Sequence, residues 1–426
     1  MNKIRLIRGD CLKVMPNLEP NSVTAIVTDP PYGLQFMGKE WDHGVPGKPF
    51  WEEALRVVKP GGMLLAFGGT RTHHHLMVAI EDAGWEIRDC IFWVYGSGFP
   101  KSRNISKAID SEAGVGREVV GIDQSTIRVN SVKNHQEGQV ANLGLKAEGT
   151  GIITALATDE AKLWDGWGTA LKPAAEVIVI AMKPLEGTFA ANAIKHGVAG
   201  INVDGCRVGA GEDHKKNCDR GGGKRKGFMV SELKAKAHTQ GRWPANIIHD
   251  GSEEVLEGFP ETKSHGGGKA SYGGIFGDGS DVTDKDAMKR FAGDKGSAAR
   301  FFYCAKASKR ERNQGLEGME AKTRRTMGKG LKGRSGDKTG KGEYKEMRVG
   351  ENKMQNTHPC VKPLALMKYL VKLVTMPKGT VILDPFMGSG TTGMACKSLG
   401  VDFVGIELEK EHFLTSKKRI RGTKNE

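Results

Sequence analysis

Residues 380–392 have the sequence Thr380-Val381-Ile382-Leu383-Asp384-Pro385-Phe386-Met387-Gly388-Ser389-Gly390-Thr391-Thr392. The first four residues form an apolar, β-branched run that is typical of a buried strand. The two glycines then predict a tight turn where a ligand can approach the backbone, before a helix begins near Thr391. No Lys-Ser or Lys-Thr pair follows the glycines, so the turn is not a phosphate-binding P-loop. It is either a ligand site or a plain strand–helix corner.

A second strand-like run, residues 23–27, leads into Asp29-Pro30-Pro31-Tyr32. The two prolines fix the backbone just past the strand. At such a place the Asp29 carboxylate and the Pro30 carbonyl can each accept a hydrogen bond from an exocyclic amine, while Tyr32 stacks on the ring. Because open α/β sheets build their sites at the carboxyl ends of strands, we expect both motifs at one edge. A plain proline loop is the alternative interpretation.

The two ends of the chain alternate between strand and helix patterns. Strand patterns at residues 3–8, 23–28, 63–67 and 87–95 are separated by helix patterns, and residues 363–419 continue the alternation. This indicates βαβ units and a doubly wound, mainly parallel sheet of the α/β class. We therefore expect residues 1–183 and 356–426 to be the two halves of one domain.

The middle of the chain departs from this pattern. Residues 97–168 are polar and loop-rich, which predicts an insertion at the rim of the sheet. Residues 184–355 are glycine-rich and basic, which predicts a second inserted region. Its tail, 315–355, reads as a flexible basic loop that is either a solvated linker or a contact for phosphates. A formal net charge of +14 over 426 residues favours a polyanionic partner.

Three further charged residues lie where a site at this edge would need them. Glu407 ends the strand pattern after the glycine turn, which suits an acid that binds ribose hydroxyls, although a surface glutamate is the alternative. Asp10 ends the first strand and either contacts a ligand or caps the next helix. Lys362 precedes a helix and either reaches an anionic ligand group or caps a turn.

The cysteines and the hydropathy pattern bear on compartment and metal binding. The chain has 7 cysteines and no Cys-x-x-Cys pair, which indicates a reduced, intracellular protein. Cys206, His214 and Cys218 have the spacing of no standard zinc site, so we predict no metal. No leader opens the chain and no apolar run approaches the ~20 residues of a membrane span. We expect a cytoplasmic enzyme without a membrane partner.

The motifs as a set resemble those of the amino-methyltransferases of DNA. The similarity is to the circularly permuted (β) group, which places the catalytic tetrapeptide before the cofactor loop. It rests on the order of five motifs: Gly9-Asp10, Asp29-Pro30-Pro31-Tyr32, Lys172-Pro173-Ala174-Ala175-Glu176, the segment 358–363 and the segment 384–392. Three segments are similar to those of phage and prophage members: 166–173, 241–246 and 300–306. The resemblance therefore implies a bacterial cell or a phage-infected host.

The resemblance implies a fold, a cofactor and a set of site residues. The implied fold is a seven-stranded Rossmann-like sheet with one antiparallel strand, and the implied cofactor is S-adenosylmethionine. The implied catalytic residues are Asp29, Pro30, Pro31 and Tyr32. The implied cofactor-binding residues are Asp10 at the adenine, Lys362 near the methionine end, and Asp384, Phe386, Gly388, Gly390, Thr391 and Glu407. The long middle departs from smaller family members, so no target sequence is implied.

The implied reaction is methylation of a base flipped out of double-stranded DNA. Aspartate at position 29 favours the N6 amine of adenine, with the N4 amine of cytosine as the alternative. A non-catalytic nucleic-acid-binding protein and a methyltransferase for RNA or a protein glutamine are further alternatives. We assign target recognition to residues 184–313, with the tail to 355 contacting phosphates. A homodimer and a restriction endonuclease partner are left open.

Overall fold

A computed structural model of the protein describes residues 2–34, 44–98, 102–122, 152–209, 241–263, 295–306, 311–317, 322–324, 352–356, 358 and 360–425. These divide into two compact units, one made of Met1–Gly96 with Ala175–Glu426 and the other of Ser97–Ala174. Most of the predicted basic tail, 315–355, lies outside the described residues, so its flexibility stays a prediction.

The described residues of the two units form fifteen β-strands. In chain order the strands of the described residues are β1 (Ile4–Arg8), β2 (Val23–Thr28), β3 (Val58–Gly68), β4 (Glu86–Val94), β5 (Val119–Ile122), β6 (Ile152–Thr154), β7 (Ala175–Met182), β8 (Ile247–His249), β9 (Glu261–Lys263), β10 (Lys295–Ser297), β11 (Tyr303–Cys304), β12 (Lys322–Arg324), β13 (Asn352–Met354), β14 (Val381–Asp384) and β15 (Asp402–Glu407).

The main sheet of the described residues has the strand order β1-β15-β14-β2-β3-β7-β4-β8-β11. All neighbours pair in parallel except β7, which runs antiparallel between β3 and β4. This confirms the predicted doubly wound, mainly parallel sheet with one antiparallel strand. The expected seven strands are present, but the sheet has nine in the described residues. The short strands β8 and β11, from the predicted second inserted region, extend its edge beyond β4.

Helices connect the strands. In chain order the α-helices are α1 (Cys11–Val14), α2 (Lys48–Val57), α3 (His73–Asp82), α4 (Ile105–Glu112), α5 (Asp159–Leu163), α6 (Phe189–His196), α7 (Glu253–Glu257), α8 (Leu364–Leu373), α9 (Thr391–Ser398) and α10 (Lys410–Gly422), with 3-10 helices at Met15–Asn17, Asp204–Cys206, Ala298–Phe301 and Glu311–Asn313. Local sequence sets several of these ends. For example, the Thr188 side chain caps the start of α6, and Gly197 at φ +72° ends it.

The sheet of the first unit has an apolar layer on each face. Successive residues of β2 alternate between them, because side chains of a strand point to opposite faces. Ala25 and Val27 belong to one buried cluster with Leu65 and Leu370, whereas Ile26 belongs to the other. Both faces of the sheet are therefore covered, which explains why its central strands read as continuous apolar runs.

The second unit has its own small set of elements. The strands β5 and β6 pair antiparallel, and Asn104 caps α4 by accepting a hydrogen bond from the backbone NH of Lys107. The buried Asp110 accepts hydrogen bonds from the hydroxyl and the backbone NH of Thr158 and pairs with Arg117. A buried carboxylate satisfied in this way holds α4 against the segment that leads into α5.

None of the helices in the described part of the chain has the length and apolar composition that a bilayer crossing requires.

Candidate active site

The two motifs singled out in the sequence meet at one edge of the sheet. The strands β2 and β14 are parallel neighbours, with Leu383 opposite Ile26. Just beyond this pair, the Thr28 hydroxyl donates a hydrogen bond of 2.7 Å to the Asp384 carboxylate. The tetrapeptide that begins at Asp29 therefore starts directly beside the glycine turn, as the sequence analysis expects.

The turn after β14 is built around two glycines with positive φ. Gly388 has φ +53° and Gly390 has φ +83°, a conformation that glycine adopts without strain. A Cβ at Gly390 would lie 2.8 Å from the Ser416 Cβ, and one at Gly388 would lie 2.8 Å from the His358 Nε2. The turn therefore packs closely on α10 on one side and on His358 on the other.

Two carboxylates hold this turn from different sides. Asp384 lies inside the turn and accepts hydrogen bonds from the hydroxyls of Thr28 and Thr392. Burial raises the pKa of Asp384 to about 7, although the two hydrogen bonds act to lower it. Glu407, at the end of β15, accepts hydrogen bonds from the backbone NH groups of Gly388 (2.7 Å) and Glu409 (2.8 Å). Both predicted acids therefore shape the turn.

An apolar cavity of about 410 Å³ opens beside this turn. Its lining includes Leu12, Pro31, Phe50 and Phe386, and the rings of Phe50 and Phe386 lie 4.9 Å apart. Asp10 caps α1 at the margin of the cavity, where its carboxylate accepts a hydrogen bond of 3.0 Å from the Leu12 backbone NH. The cavity is suited to a flat ring, since aromatic and apolar side chains dominate its wall.

Beside the turn, four side chains form a partly buried charged cluster. The Lys362 Nζ lies 2.8 Å from Glu176 Oε2, 2.9 Å from the Tyr32 hydroxyl and 3.1 Å from Asp29 Oδ1. The Tyr32 hydroxyl lies 2.9 Å from Asp29 Oδ1 and 3.1 Å from Glu176 Oε2. The three N–H groups of the lysine thus reach three acceptors, whereas the single hydroxyl proton of Tyr32 can be donated to only one carboxylate at a time.

The cluster perturbs the protonation of its members. Burial raises the pKa of Asp29, as does the charge of Glu176, while the charge of Lys362 acts to lower it. Burial alone would lower the pKa of Lys362, but Asp29 and Glu176 together raise it far above its ordinary value. Burial and the two carboxylates also raise the pKa of Tyr32. Lys362 is therefore a permanent cation here, and Tyr32 is a neutral hydrogen-bond donor.

The structure assigns Lys362 different neighbours from those the resemblance implies. The resemblance implies that Lys362 lies near the methionine end of a cofactor. In the structure its ammonium group contacts Asp29 and Tyr32 of the tetrapeptide, and also Glu176. Its ammonium group also lies over the rings of Tyr32 (5.2 Å) and Phe67 (4.8 Å). A role toward a cofactor stays a prediction.

Sequence reasoning missed two site residues. Glu176 ends the motif 172–176, but the sequence alone assigns it no catalytic or binding role. The reason is that the sequence does not show which strand is antiparallel, and in the structure that strand is β7. An antiparallel strand begins where its neighbours end, so Glu176 reaches the edge that carries Asp29. Arg419 on α10 is fully buried, and its guanidinium donates hydrogen bonds to the Ser389 carbonyl and the Thr391 hydroxyl. No local pattern distinguishes it from its exposed basic neighbours.

The histidine and cysteine patterns of the sequence form no metal centre in the described residues. His214 and Cys218 lie outside these residues. His73, His74 and His75 begin α3, and the rings of the first two are 6.1 Å apart.

A doubly wound sheet whose carboxyl edge carries a glycine turn and a charged cluster is typical of α/β proteins that bind a ligand at the switch between strands. A family model described as DNA methylase matches residues 23–198 and 282–418. This is most of the chain, and the protein belongs to that family.

Individual relatives match shorter stretches. The type II methyltransferase M2.DpnII of Streptococcus pneumoniae is 44% identical over 68 residues, which are 16% of this chain and 25% of that protein. The type II methyltransferase M.HpaI of Haemophilus parainfluenzae is 39% identical over 117 residues, 25% of this chain and 36% of that protein. The chain thus spans about a quarter to a third of the length of these relatives.

Among solved structures, the M1.HpyAVI–SAM complex aligns with 98% of this chain and 99% of its own, at 17% identity and a TM-score of 0.37. A likeness at this TM-score adds nothing to the fold described above.

Proposed function

We propose that this protein is a DNA methyltransferase that transfers a methyl group from S-adenosylmethionine to the N6 amine of adenine in a flipped-out base. The observation that carries the proposal is the cluster of Asp29, Tyr32, Glu176 and Lys362 at the end of β2, directly beside the glycine turn. Membership of the DNA methylase family and the net charge of +14 support it.

The residues beside the turn fit the proposed cofactor. The cavity of about 410 Å³ that Phe50 and Phe386 line has the apolar, aromatic wall that suits an adenine ring, and Glu407 lies at the next strand end for ribose hydroxyls. When bound, S-adenosylmethionine supplies a methyl group on a positively charged sulfur. We assign Phe386, Gly388, Gly390 and Glu407 to its binding, with Asp384 and Thr391 shaping the turn from within.

The target base must leave the duplex before it can react, at a cost of a few kcal/mol. Stacking on the Tyr32 ring returns about 1–3 kcal/mol per base. The Asp29 carboxylate and the Pro30 carbonyl then accept hydrogen bonds from the amine. These contacts draw the nitrogen lone pair out of conjugation with the ring and direct it at the methyl group. The main contribution of these residues is alignment and polarisation, and the surplus proton leaves the nitrogen after the transfer.

Glu176 gives this mechanism a second acceptor. Because the Tyr32 hydroxyl lies within hydrogen-bond distance of both carboxylates, it can donate to Glu176 when the amine approaches Asp29. The carboxylate of Asp29 is then available to the substrate, while the charge of Lys362 opposes the burial that raises the pKa of Asp29.

The experiment that tests the function uses the full chain with tritiated S-adenosylmethionine and double-stranded DNA. We expect label in DNA, and nucleoside analysis by mass spectrometry should give N6-methyladenine. Detection of N4-methylcytosine would support the proposed methyl transfer to DNA but would show that the target base is cytosine. Label only in RNA or in protein, or no transfer with intact cofactor binding, would contradict the proposal.

Replacing Glu407 by alanine should weaken binding of S-adenosylmethionine by about 1.5–3 kcal/mol, the range for hydrogen bonds to a charged group. The carboxylate both faces the proposed ribose position and fixes the Gly388 backbone NH. Calorimetric titration measures the loss, with Glu186→Ala, an exposed glutamate paired with Lys195 and His196, as the matched control. Equal affinities of the two variants would place Glu407 outside the cofactor site.

A further inference from the structure

A short segment that spans the end of the predicted target-recognition region, 184–313, and the start of the predicted tail, 315–355, is attached to the glycine turn. This segment, residues Glu311–Glu317, begins with a 3-10 helix and is called the strap below. The Glu311 backbone carbonyl accepts a hydrogen bond of 3.1 Å from Arg419 Nη2. The Glu311 carboxylate accepts another, of 3.0 Å, from the backbone NH of Leu364 at the start of α8. The strap is thus joined to α10 through Arg419 and to α8 through Leu364.

Arg419 carries this connection to the glycine turn. The side chain that binds Glu311 through Nη2 also donates through Nη1 to the Ser389 carbonyl (2.7 Å), the Ser389 hydroxyl (2.9 Å) and the Thr391 hydroxyl (3.2 Å). Burying a guanidinium is costly unless hydrogen bonds compensate it. Arg419 therefore stays in place only while both the strap and the turn present their oxygens to it.

A second connection runs through His358. Arg312 Nη2 donates a hydrogen bond of 2.6 Å to the His358 carbonyl, and the Asn356 amide donates one of 2.9 Å to the Arg312 carbonyl. The His358 ring is the group that a Cβ at Gly388 would meet at 2.8 Å. The strap thus positions a side chain against each end of the turn.

Gly315 shows how closely the strap packs on α10. It has φ +79°, and a Cβ there would lie 2.9 Å from the Arg419 Cα and 3.1 Å from its carbonyl oxygen. The next residue, Leu316, is fully buried. Any side chain at position 315 must therefore push the strap away from α10 or displace the Arg419 backbone.

We propose that the strap is a positioning element of the cofactor turn. The strap fixes Arg419 and His358. These two side chains in turn hold the glycine turn at Ser389, Thr391 and Gly388. The affinity for the cofactor therefore depends on a segment outside the cofactor-binding half of the chain. The inference rests on the proposed function, because it takes S-adenosylmethionine as the ligand of this turn.

The test compares two glycine variants of the full chain. Gly315→Ala meets Arg419, whereas Gly379→Ala has a similar positive φ of +65° but no atom within 4 Å of the added Cβ. Both variants carry comparable backbone strain, and only the first displaces the strap. We expect Gly315→Ala to raise the calorimetric Kd for S-adenosylmethionine about tenfold, within the usual range of coupling between sites. Gly379→Ala should leave it within about twofold of wild type, an effect of strain alone.

Each outcome of this comparison has one meaning. A wild-type protein that binds no S-adenosylmethionine contradicts the proposed cofactor and hence the function. If the wild-type protein binds S-adenosylmethionine, three results would overturn the positioning role of the strap. The first is a Kd for Gly315→Ala equal to that of wild type, including the case in which only its melting temperature falls. The others are equal losses of affinity in Gly315→Ala and Gly379→Ala, or a larger loss in the second. Should Gly315→Ala not fold, Arg312→Ala removes the hydrogen bond to His358 without backbone strain, and an unchanged Kd in that variant equally overturns the inference.

Discussion

Replacing Asp29 by alanine is expected to lower the rate of methyl transfer by about 10²–10³-fold, the usual loss when one positioned polar group is removed from a reacting centre. Asp29 begins the tetrapeptide at the end of β2, and its carboxylate is the acceptor that we assign to the substrate amine. The affinity for S-adenosylmethionine should stay within a few-fold of wild type, because the Asp29 carboxylate contacts Tyr32 and Lys362, whereas Glu407 and Asp384 bind the glycine turn. Single-turnover transfer to DNA and calorimetric titration measure the two quantities separately.

The control for this variant is Asp159→Ala, which removes an exposed aspartate paired with Lys162 and should leave the rate unchanged. Asp29→Asn adds a sharper comparison, because the amide keeps an oxygen acceptor but presents a competing donor. A rate for Asp29→Ala above about a tenth of wild type would remove Asp29 from its assigned role. A loss of cofactor affinity equal to the loss of rate would show that the variant disturbs the turn instead.

The sequence predicts this site well where strands end in polar residues. Two apolar runs specify β2 and β14, and their parallel pairing brings Asp29 and the glycine turn together without further information. Glycines 388 and 390 adopt the positive φ values that a tight turn requires. Such features are local, because strand propensity and turn chemistry act on neighbouring residues.

Sequence reasoning fails where a role depends on tertiary placement. Glu176 joins the cluster only because β7 is antiparallel, and strand direction leaves no trace in the composition of a buried strand. The resemblance implies that Asp384 binds the cofactor, which stays a prediction, and the sequence does not show that Thr28 and Thr392 also bind its carboxylate inside the turn. Arg419 is buried by contacts with a segment about a hundred residues distant along the chain, which no local pattern encodes.

Replacing Lys362 by methionine should destabilise the protein by about 3–5 kcal/mol at pH 8, the usual cost of removing one partner from a buried ion pair. Lys362 is 9% exposed and lies between Asp29 and Glu176, which are 21% and 18% exposed. Methionine keeps the apolar stem but lacks the ammonium group, which also lies over the rings of Tyr32 and Phe67, so the loss reports the charge together with its cation–π contacts. Urea unfolding measures the free energy.

The pH dependence of this loss has a definite sign. Burial already raises the pKa of Asp29, and the charge of Lys362 is the main influence that opposes it. Without the lysine the folded-state pKa rises further above the unfolded value. A group with a raised folded-state pKa favours the folded state at low pH, and this contribution is lost as pH rises through that pKa. The deficit of Lys362→Met should therefore be largest at pH 8 and shrink as the pH approaches 5.

A second substitution separates charge from packing. The double variant Lys362→Met with Glu176→Gln removes one of the two like charges left in the cluster, so it should recover part of the stability lost at pH 8 and show a weaker pH dependence. Lys162→Met, which breaks the exposed pair with Asp159, is the control and should leave the free energy of unfolding nearly unchanged at either pH, because solvent screens such a pair. A deficit for Lys362→Met that is independent of pH, or a double variant less stable than the single one, would mean that Lys362 does not hold two ionised carboxylates together. The assignment of Asp29 as an ionised acceptor for the substrate amine would then lose its electrostatic basis.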